Sequence, residues 1–230
     1  SACLVGSEMC IRDRFKLDDP LHKYLPEFKE VKCKGSEGIY DCQNEIKVVD
    51  ILTHRSGYIY YLDNGDNWLT GTHNSLYPSY INTSRFNNLD DFSKAVAKHP
   101  LEFEPGSMYA YGLNQAILGR LIEVISGQTF YNFLKENIFD KLGMSETKFH
   151  LTDDERLRLQ PLRVNIKPNS VFNQTDYNLD GYTIALDGYS YREDNKAHFG
   201  GEGLVSTMND FSRFCDCLLY TSPSPRDRLK

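Results

Sequence analysis

Two tyrosines, Tyr109 and Tyr111, stand between a Glu104-Pro105-Gly106-Ser107 turn and the start of an apolar helix pattern. Proline fixes φ and glycine supplies conformations that other residues avoid, so the turn is encoded locally. A polar side chain between such a turn and a buried helix can be held rigidly at the edge of a cleft. A phenol there is a demanding proton carrier. Unperturbed it titrates near about 10, and it serves as a base at neutral pH only beside cationic charge. His54, in Thr53-His54-Arg55-Ser56-Gly57, offers an imidazole that could act as a base. Ser145-Glu146-Thr147-Lys148 is the only Ser-x-x-Lys of the chain, and His198-Phe199-Gly200 places another imidazole before a glycine. No Gly-rich phosphate loop, His-Glu-x-x-His, Gly-x-Ser-x-Gly or Cys-x-x-Cys is present. The expectation is a site without metal or cofactor.

The elements that must position these residues follow from periodicity. From Asn114, the residues Ile117, Leu118, Leu121, Ile122 and Ile125 recur at the spacing of one helix face, and Gly127 stops the run. Thr129 can cap a second helix whose Phe130, Phe133, Leu134 and Ile138 share a face before Leu142-Gly143 ends it. Upstream, Asp18-Asp19-Pro20 reads as a turn and helix start, with Leu21, Tyr24 and Leu25 on one face and Pro26 closing it. Val31–Asn44 reads as a loop rich in Lys and Gly, and Val48–His54 as a short buried helix. Tyr58–Phe86 is aromatic and polar without a sustained period, a folded loop region fit for a cleft rim. Leu89–Lys98 is amphipathic and can be capped by Asn88 or Asp90. Lys148–Ile166 reads as helical, and Pro168–Asp194 as a Tyr-rich loop.

With 230 residues and 40% hydrophobic content, the chain can bury a substantial core. A formal charge of −6 argues against a nucleic-acid partner, which needs clustered Lys and Arg. No apolar run is long enough to span a bilayer. The ends, residues 1–14 and 217–230, resemble translated sequencing-adaptor read-through and are expected to be foreign and disordered, leaving 15–216 as the domain. Cys33, Cys42 and Cys215 then remain. Cys33 and Cys42 bracket a Gly-containing loop and could be a small disulfide or free thiols. Asn82-Thr83-Ser84 and Asn173-Gln174-Thr175 match glycosylation acceptors, which matter only in a secreted protein.

Four stretches in order resemble the β-lactamase-related serine hydrolases, the group that includes class C β-lactamases, D-Ala-D-Ala peptidases and β-lactamase-fold esterases. They are FKLDDPLHKYLPEF from Phe15, IKVVDILTHRSG from Ile46, EPGSMYAYGLNQAILGRLIE from Glu104 and FGGEGLVSTMNDFSRF from Phe199. The resemblance implies a truncated α/β fold of the β-lactamase/transpeptidase type. Because that sheet is built from both chain termini, it implies mostly helices and long loops with few strands.

It also implies chemistry. In the family a Ser-x-x-Lys serine attacks a carbonyl and forms an acyl-enzyme, a second-motif tyrosine shuttles the proton, and a Lys/His-x-Gly strand completes the site. Tyr111 falls at that tyrosine, with Tyr109 as its competitor. Tyr111-Gly112-Leu113 departs from the lactamase Tyr-x-Asn at Leu113, which favours ester or peptide substrates over β-lactams. Tyr109, Leu113 and His198 are the cleft candidates. The resemblance gives His54 a place in the cleft floor and no proton transfer. It makes Ser145-x-x-Lys148 a coincidence, and it places His198 one segment too early for the last motif. The nucleophile motif would precede Phe15, so the chain as it stands is expected to be an inactive internal fragment. A binding or scaffolding relative of the same fold is the alternative.

Overall fold

The computed structural model describes residues 15–59, 86–160, 196–201 and 203–221, with short strands at 66–67, 72–73, 162–164 and 182–184. The first turn closes on Asp19, whose carboxylate accepts the Lys16 N–H (2.9 Å), the Lys23 ammonium (3.0 Å) and the Tyr24 hydroxyl. The helix expected there is two 3-10 turns, Leu21–Lys23 and Pro26–Phe28, because Pro26 has no N–H with which to continue a helix. Leu21, Leu25 and Phe28 are nonetheless buried.

The Val31–Asn44 segment is not a plain loop. Strands β1 (Lys32–Gly35) and β2 (Gly38–Asp41) form an antiparallel hairpin in which Cys33 faces Tyr40, and Cys33 is joined to Cys42. The two strands carry no apolar alternation, since all of β2 is exposed and only Cys33 of β1 is buried. A backbone ladder, one covalent bond and the Lys32–Asp41 ion pair hold the hairpin, and β1 is joined to Leu101 by two backbone hydrogen bonds of 2.7 and 2.8 Å. Helix α1 (Val48–Leu52) is the short buried helix expected. Within the Tyr58–Phe86 segment, β3 (Asp66–Asn67) pairs with β4 (Thr72–His73), and the glycosylation acceptors at 82 and 173 lie outside the described residues.

Helix α2 (Leu89–Val96) is capped by Asn88, not Asp90. The Asn88 side chain accepts the Asp91 N–H at 2.9 Å, and Leu89, Phe92 and Val96 face the core. Helix α3 (Asn114–Ser126) follows the predicted face and ends in left-handed Gly127. Thr129 caps α4 (Phe130–Leu134), accepting the Asn132 N–H at 3.2 Å. The chain then passes through a π-turn, Lys135–Phe139, into α5 (Asp140–Leu142). That turn adds a residue to the helical count, so Phe139 is buried where the regular spacing points to Ile138, which is only partly covered.

The long helix expected over Lys148–Ile166 is a single turn, α6 (Asp153–Leu157), followed by β5 (Leu162–Val164) paired with β6 (Tyr182–Ile184). A Thr152–Glu155 capping box starts α6, and the proline at 161 has no amide N–H to extend it. Lys148 is drawn into a bridge with Val205, each N–H reaching the other carbonyl at 2.9 Å. Helix α7 (Met208–Thr221) closes the described chain and continues regular helix across position 217.

One hydrophobic core runs from Phe15 to Phe199, with Ile117, Leu118, Leu121 and Ile122 of α3 at its centre against α1, α2 and α4. Each such fully buried aliphatic side chain contributes about 1.5–3 kcal/mol. The architecture is helices and loops with few strands. Among the described residues, no helix is long and apolar enough to cross a membrane.

Candidate active site

Helix α1 is tied at its start by the Asp50 carboxylate, which accepts the Lys47 N–H at 2.9 Å. Burial raises the pKa of the Asp50 carboxyl. After α1 the backbone reverses at His54, whose φ of 54° makes it the one non-glycine residue in the left-handed region among the described residues. That conformation costs about 1–2 kcal/mol for an L-residue, and histidine tolerates it better than most. It is held by contacts on both sides of the residue.

The facing segment is the Glu104–Ser107 turn. Ser107 N–H reaches the Glu104 carbonyl at 3.1 Å, and Gly106 has φ 79°, the type II pattern. The turn is fastened twice. The Gly106 N–H donates to the Arg55 carbonyl (2.9 Å) while the Arg55 guanidinium donates to the Gly106 carbonyl. On its other flank the Glu104 carboxylate accepts the Gln43 and Asn44 N–H groups (3.0 and 3.1 Å) just beyond the Cys33–Cys42 bond.

Beyond the turn, Met108 to Tyr111 run across the surface, and Tyr109 and Tyr111 are 64% and 58% exposed. The Ala110 N–H donates to the His54 carbonyl (3.0 Å) and the Gly112 N–H to His54 Nδ1 (3.4 Å). The Tyr111 ring lies over the His54 ring at 4.7 Å and 31°, and Tyr109 meets it edge-on at 6.1 Å. The approach is close enough to dictate residue 112. A Cβ there would fall 2.0 Å from the Tyr58 carbonyl oxygen, so only glycine fits. Gly57 is fixed in the same way, since its Cβ would meet the Phe103 carbonyl oxygen at 2.6 Å.

Behind this surface lies a buried polar network that the sequence reading did not single out. Asn114, fully buried at the first position of α3, accepts the Ser56 hydroxyl on Oδ1 (2.5 Å), while its Nδ2 points at His54 Nδ1 (3.2 Å) and the Tyr58 carbonyl (3.5 Å). The Gly112 N–H can only donate, so Nδ1 is the acceptor; the neutral ring then carries its proton on Nε2, 3.2 Å from the Gln115 amide nitrogen, and that amide must turn its Oε1 to the ring to accept it. Burial lowers the pKa of His54 and favours this neutral form. The one available signal was a polar residue opening an apolar helix.

The sequence candidates are therefore distributed. Tyr109 and Tyr111 share one surface with His54. Leu113 does not line it, because its side chain is buried in the core where α3 begins. His198 is also buried, in a different cluster, with Nε2 2.9 Å from His150 Nε2 and ring neighbours Phe149 (4.9 Å) and Tyr131 (5.6 Å). Lys148 of the Ser145-x-x-Lys148 match is paired with Glu155. Among the described residues the one group with metal-ligand spacing is Cys33, Cys42 and Glu104, and its two sulfurs are joined to each other, leaving no thiolate to bind an ion.

Over residues 2–229 the sequence matches the family described as Beta-lactamase, and the chain belongs to it. It is similar to the lovastatin esterase of Penicillium rubens, 27% identical over 169 residues that make up 74% of this chain and 38% of the esterase. It is also similar to the esterase EstB of Burkholderia gladioli, 30% identical over 145 residues, 63% of this chain and 35% of that enzyme. In structure it resembles the simvastatin synthase of Aspergillus terreus, with a TM-score of 0.65, 22% identity, and 95% of this chain covering 51% of that one. The chain thus spans little more than a third of the length of these curated relatives.

Proposed function

We propose that the protein carrying this chain hydrolyses an ester, amide or peptide bond through an acyl-serine intermediate, with Tyr111 as proton shuttle, and that esters or peptides are preferred over β-lactams. Membership in a family of serine hydrolases with esterase relatives supports the reaction class. The observation that carries the residue assignment is the double fastening of the 110–112 backbone to His54, which leaves the Tyr111 ring on an open surface in a defined orientation. In the proposed step the serine Oγ–H gives its proton to the Tyr111 phenolate as the Oγ–C bond forms. The phenol then passes that proton to the departing alkoxide or amine. Leu113 is buried in the core and offers the site no polar group where the lactamase pattern has asparagine, which supports the ester or peptide preference. The one Ser-x-x-Lys in residues 1–230, Ser145–Lys148, has its lysine paired with Glu155 and follows Tyr111 in the chain, so we propose that it is not the nucleophile and that this polypeptide has no turnover by itself.

The longest native polypeptide containing this chain, assayed with p-nitrophenyl acetate, a D-Ala-D-Ala peptide and a chromogenic cephalosporin, tests the reading. Turnover of the ester or the peptide is expected, and Tyr111→Phe should lower kcat by on the order of 10²–10⁴. Full activity in Tyr111→Phe would overturn the assignment. No turnover of any substrate would favour a non-catalytic relative of the fold. Turnover by residues 1–230 alone, lost in Tyr111→Phe, would refute the inactivity of the shorter polypeptide.

A further inference from the structure

We propose that His54 is the positioning residue for Tyr111: its Nδ1 accepts the Gly112 N–H and its ring face backs the Tyr111 ring, so the phenol is presented in one orientation. This rests on the reading of Tyr111 as the shuttle and adds a residue to it. Three independent features point at His54. Its backbone is in the left-handed region, unlike every other non-glycine residue described. Its carbonyl and its Nδ1 grip the two peptide groups on either side of Tyr111, those of Ala110 and Gly112. Its ring neighbours both Tyr109 and Tyr111. A residue serving only as packing needs neither the strained backbone nor an acceptor aimed at a neighbouring amide.

The network behind the ring fits the same role. Asn114 Nδ2 adds a second donor to Nδ1, and Ser56 fixes the Asn114 carboxamide by donating to its Oδ1. With its carbonyl occupied by Ser56, the amide can turn only its NH₂ toward the imidazole, which keeps Nδ1 an acceptor. Burial lowers the pKa of His54 and so favours the neutral ring. The groups facing the ring are the Tyr109 and Tyr111 phenols and the neutral Asn114 and Gln115 amides.

Two substitutions separate the two grips. His54→Asn keeps an acceptor near the Nδ1 position and tolerates φ 54°, but removes the ring. His54→Phe keeps the ring and removes the acceptor. In ¹⁵N NMR spectra of residues 1–230, His54 should show the Nε2–H tautomer. The Gly112 amide proton should move upfield in His54→Phe and stay in place in His54→Asn. A Nδ1–H tautomer, or a Gly112 amide unmoved in His54→Phe, would overturn the proposal without any assay. In the full-length protein each variant should lose about 10- to 100-fold in kcat with KM changed less than about threefold. Circular dichroism melts identify any variant that has merely unfolded, and the tautomer measured in the unmodified chain stands in its place. If Tyr111→Phe abolishes turnover while both His54 variants keep full kcat, the positioning role fails and the shuttle stands. If Tyr111→Phe is active, the shuttle itself fails.

Discussion

His54 and His198 are both buried imidazoles, and they are held in different ways. His54 meets a backbone N–H and an amide whose orientation is set by a serine, so its Nδ1 is assigned as an acceptor from outside the ring. His198 meets His150 nitrogen to nitrogen at 2.9 Å, and either ring can hold the proton between them. The first arrangement has one state and the second has two. A fixed state suits a site that must present a neighbouring side chain in a single geometry. A shared proton suits cohesion between segments distant in sequence, here 150 and 198, inside an aromatic cluster. Residue type alone does not separate the two roles; the partners of Nδ1 and Nε2 do.

The comparison can be broken most forcefully at Gly112. Gly112→Ala would drive a methyl group into the Tyr58 carbonyl, and a loss of about 3 kcal/mol or more is expected in urea unfolding of residues 1–230. A loss under about 1 kcal/mol would show that the grip on His54 is loose. Next comes Asn114→Leu, which strands the Ser56 hydroxyl and one donor bond to His54, for an expected cost of about 2–3 kcal/mol and a broadened Tyr111 ring signal. His198→Phe should be milder, about 1 kcal/mol or less, because phenylalanine fits beside Phe149 and Tyr131 and the partly exposed His150 can turn to water. It should leave the Tyr111 signals unmoved, and a shift there would merge two clusters that the structure keeps apart.

The smallest effect is in pH. Burial lowers the folded-state pKa of His54 below its ordinary 6.5, so the unfolded chain binds the extra proton first. The stability linked to His54 is therefore complete above pH 6.5 and falls away as the pH drops through the lowered value. His99 is depressed by burial too, so the signal is the flatter pH slope of His54→Asn relative to the unmodified chain.

Helix α3, the Asn88 and Thr129 caps and the Glu104–Ser107 turn were legible because each depends on residues within a few positions of one another. The β1–β2 hairpin was not, since its strands carry no apolar alternation and its staple is a bond between cysteines that spacing alone leaves open. The inward place of Phe139 was hidden by a π-turn that no propensity marks. Tyr111 could be singled out from the turn ahead of it and from family resemblance, yet Leu113 beside it belongs to the core. The role of His54 was invisible because its partners lie at 112, 114 and 115. A ring that lines a floor and a ring that holds a tyrosine read identically in sequence.

The bonds that fasten Tyr111 join positions 58 and 60 apart in the chain. Closing loops of that length costs entropy that no single weak bond repays, so these contacts form only when α1 docks against α3 with the core between them. Early in folding the chain can already possess its turn and its central helix while the tyrosine still points nowhere in particular. The arrangement around Tyr111 therefore depends on the docking of α1 against α3 and not on either helix alone.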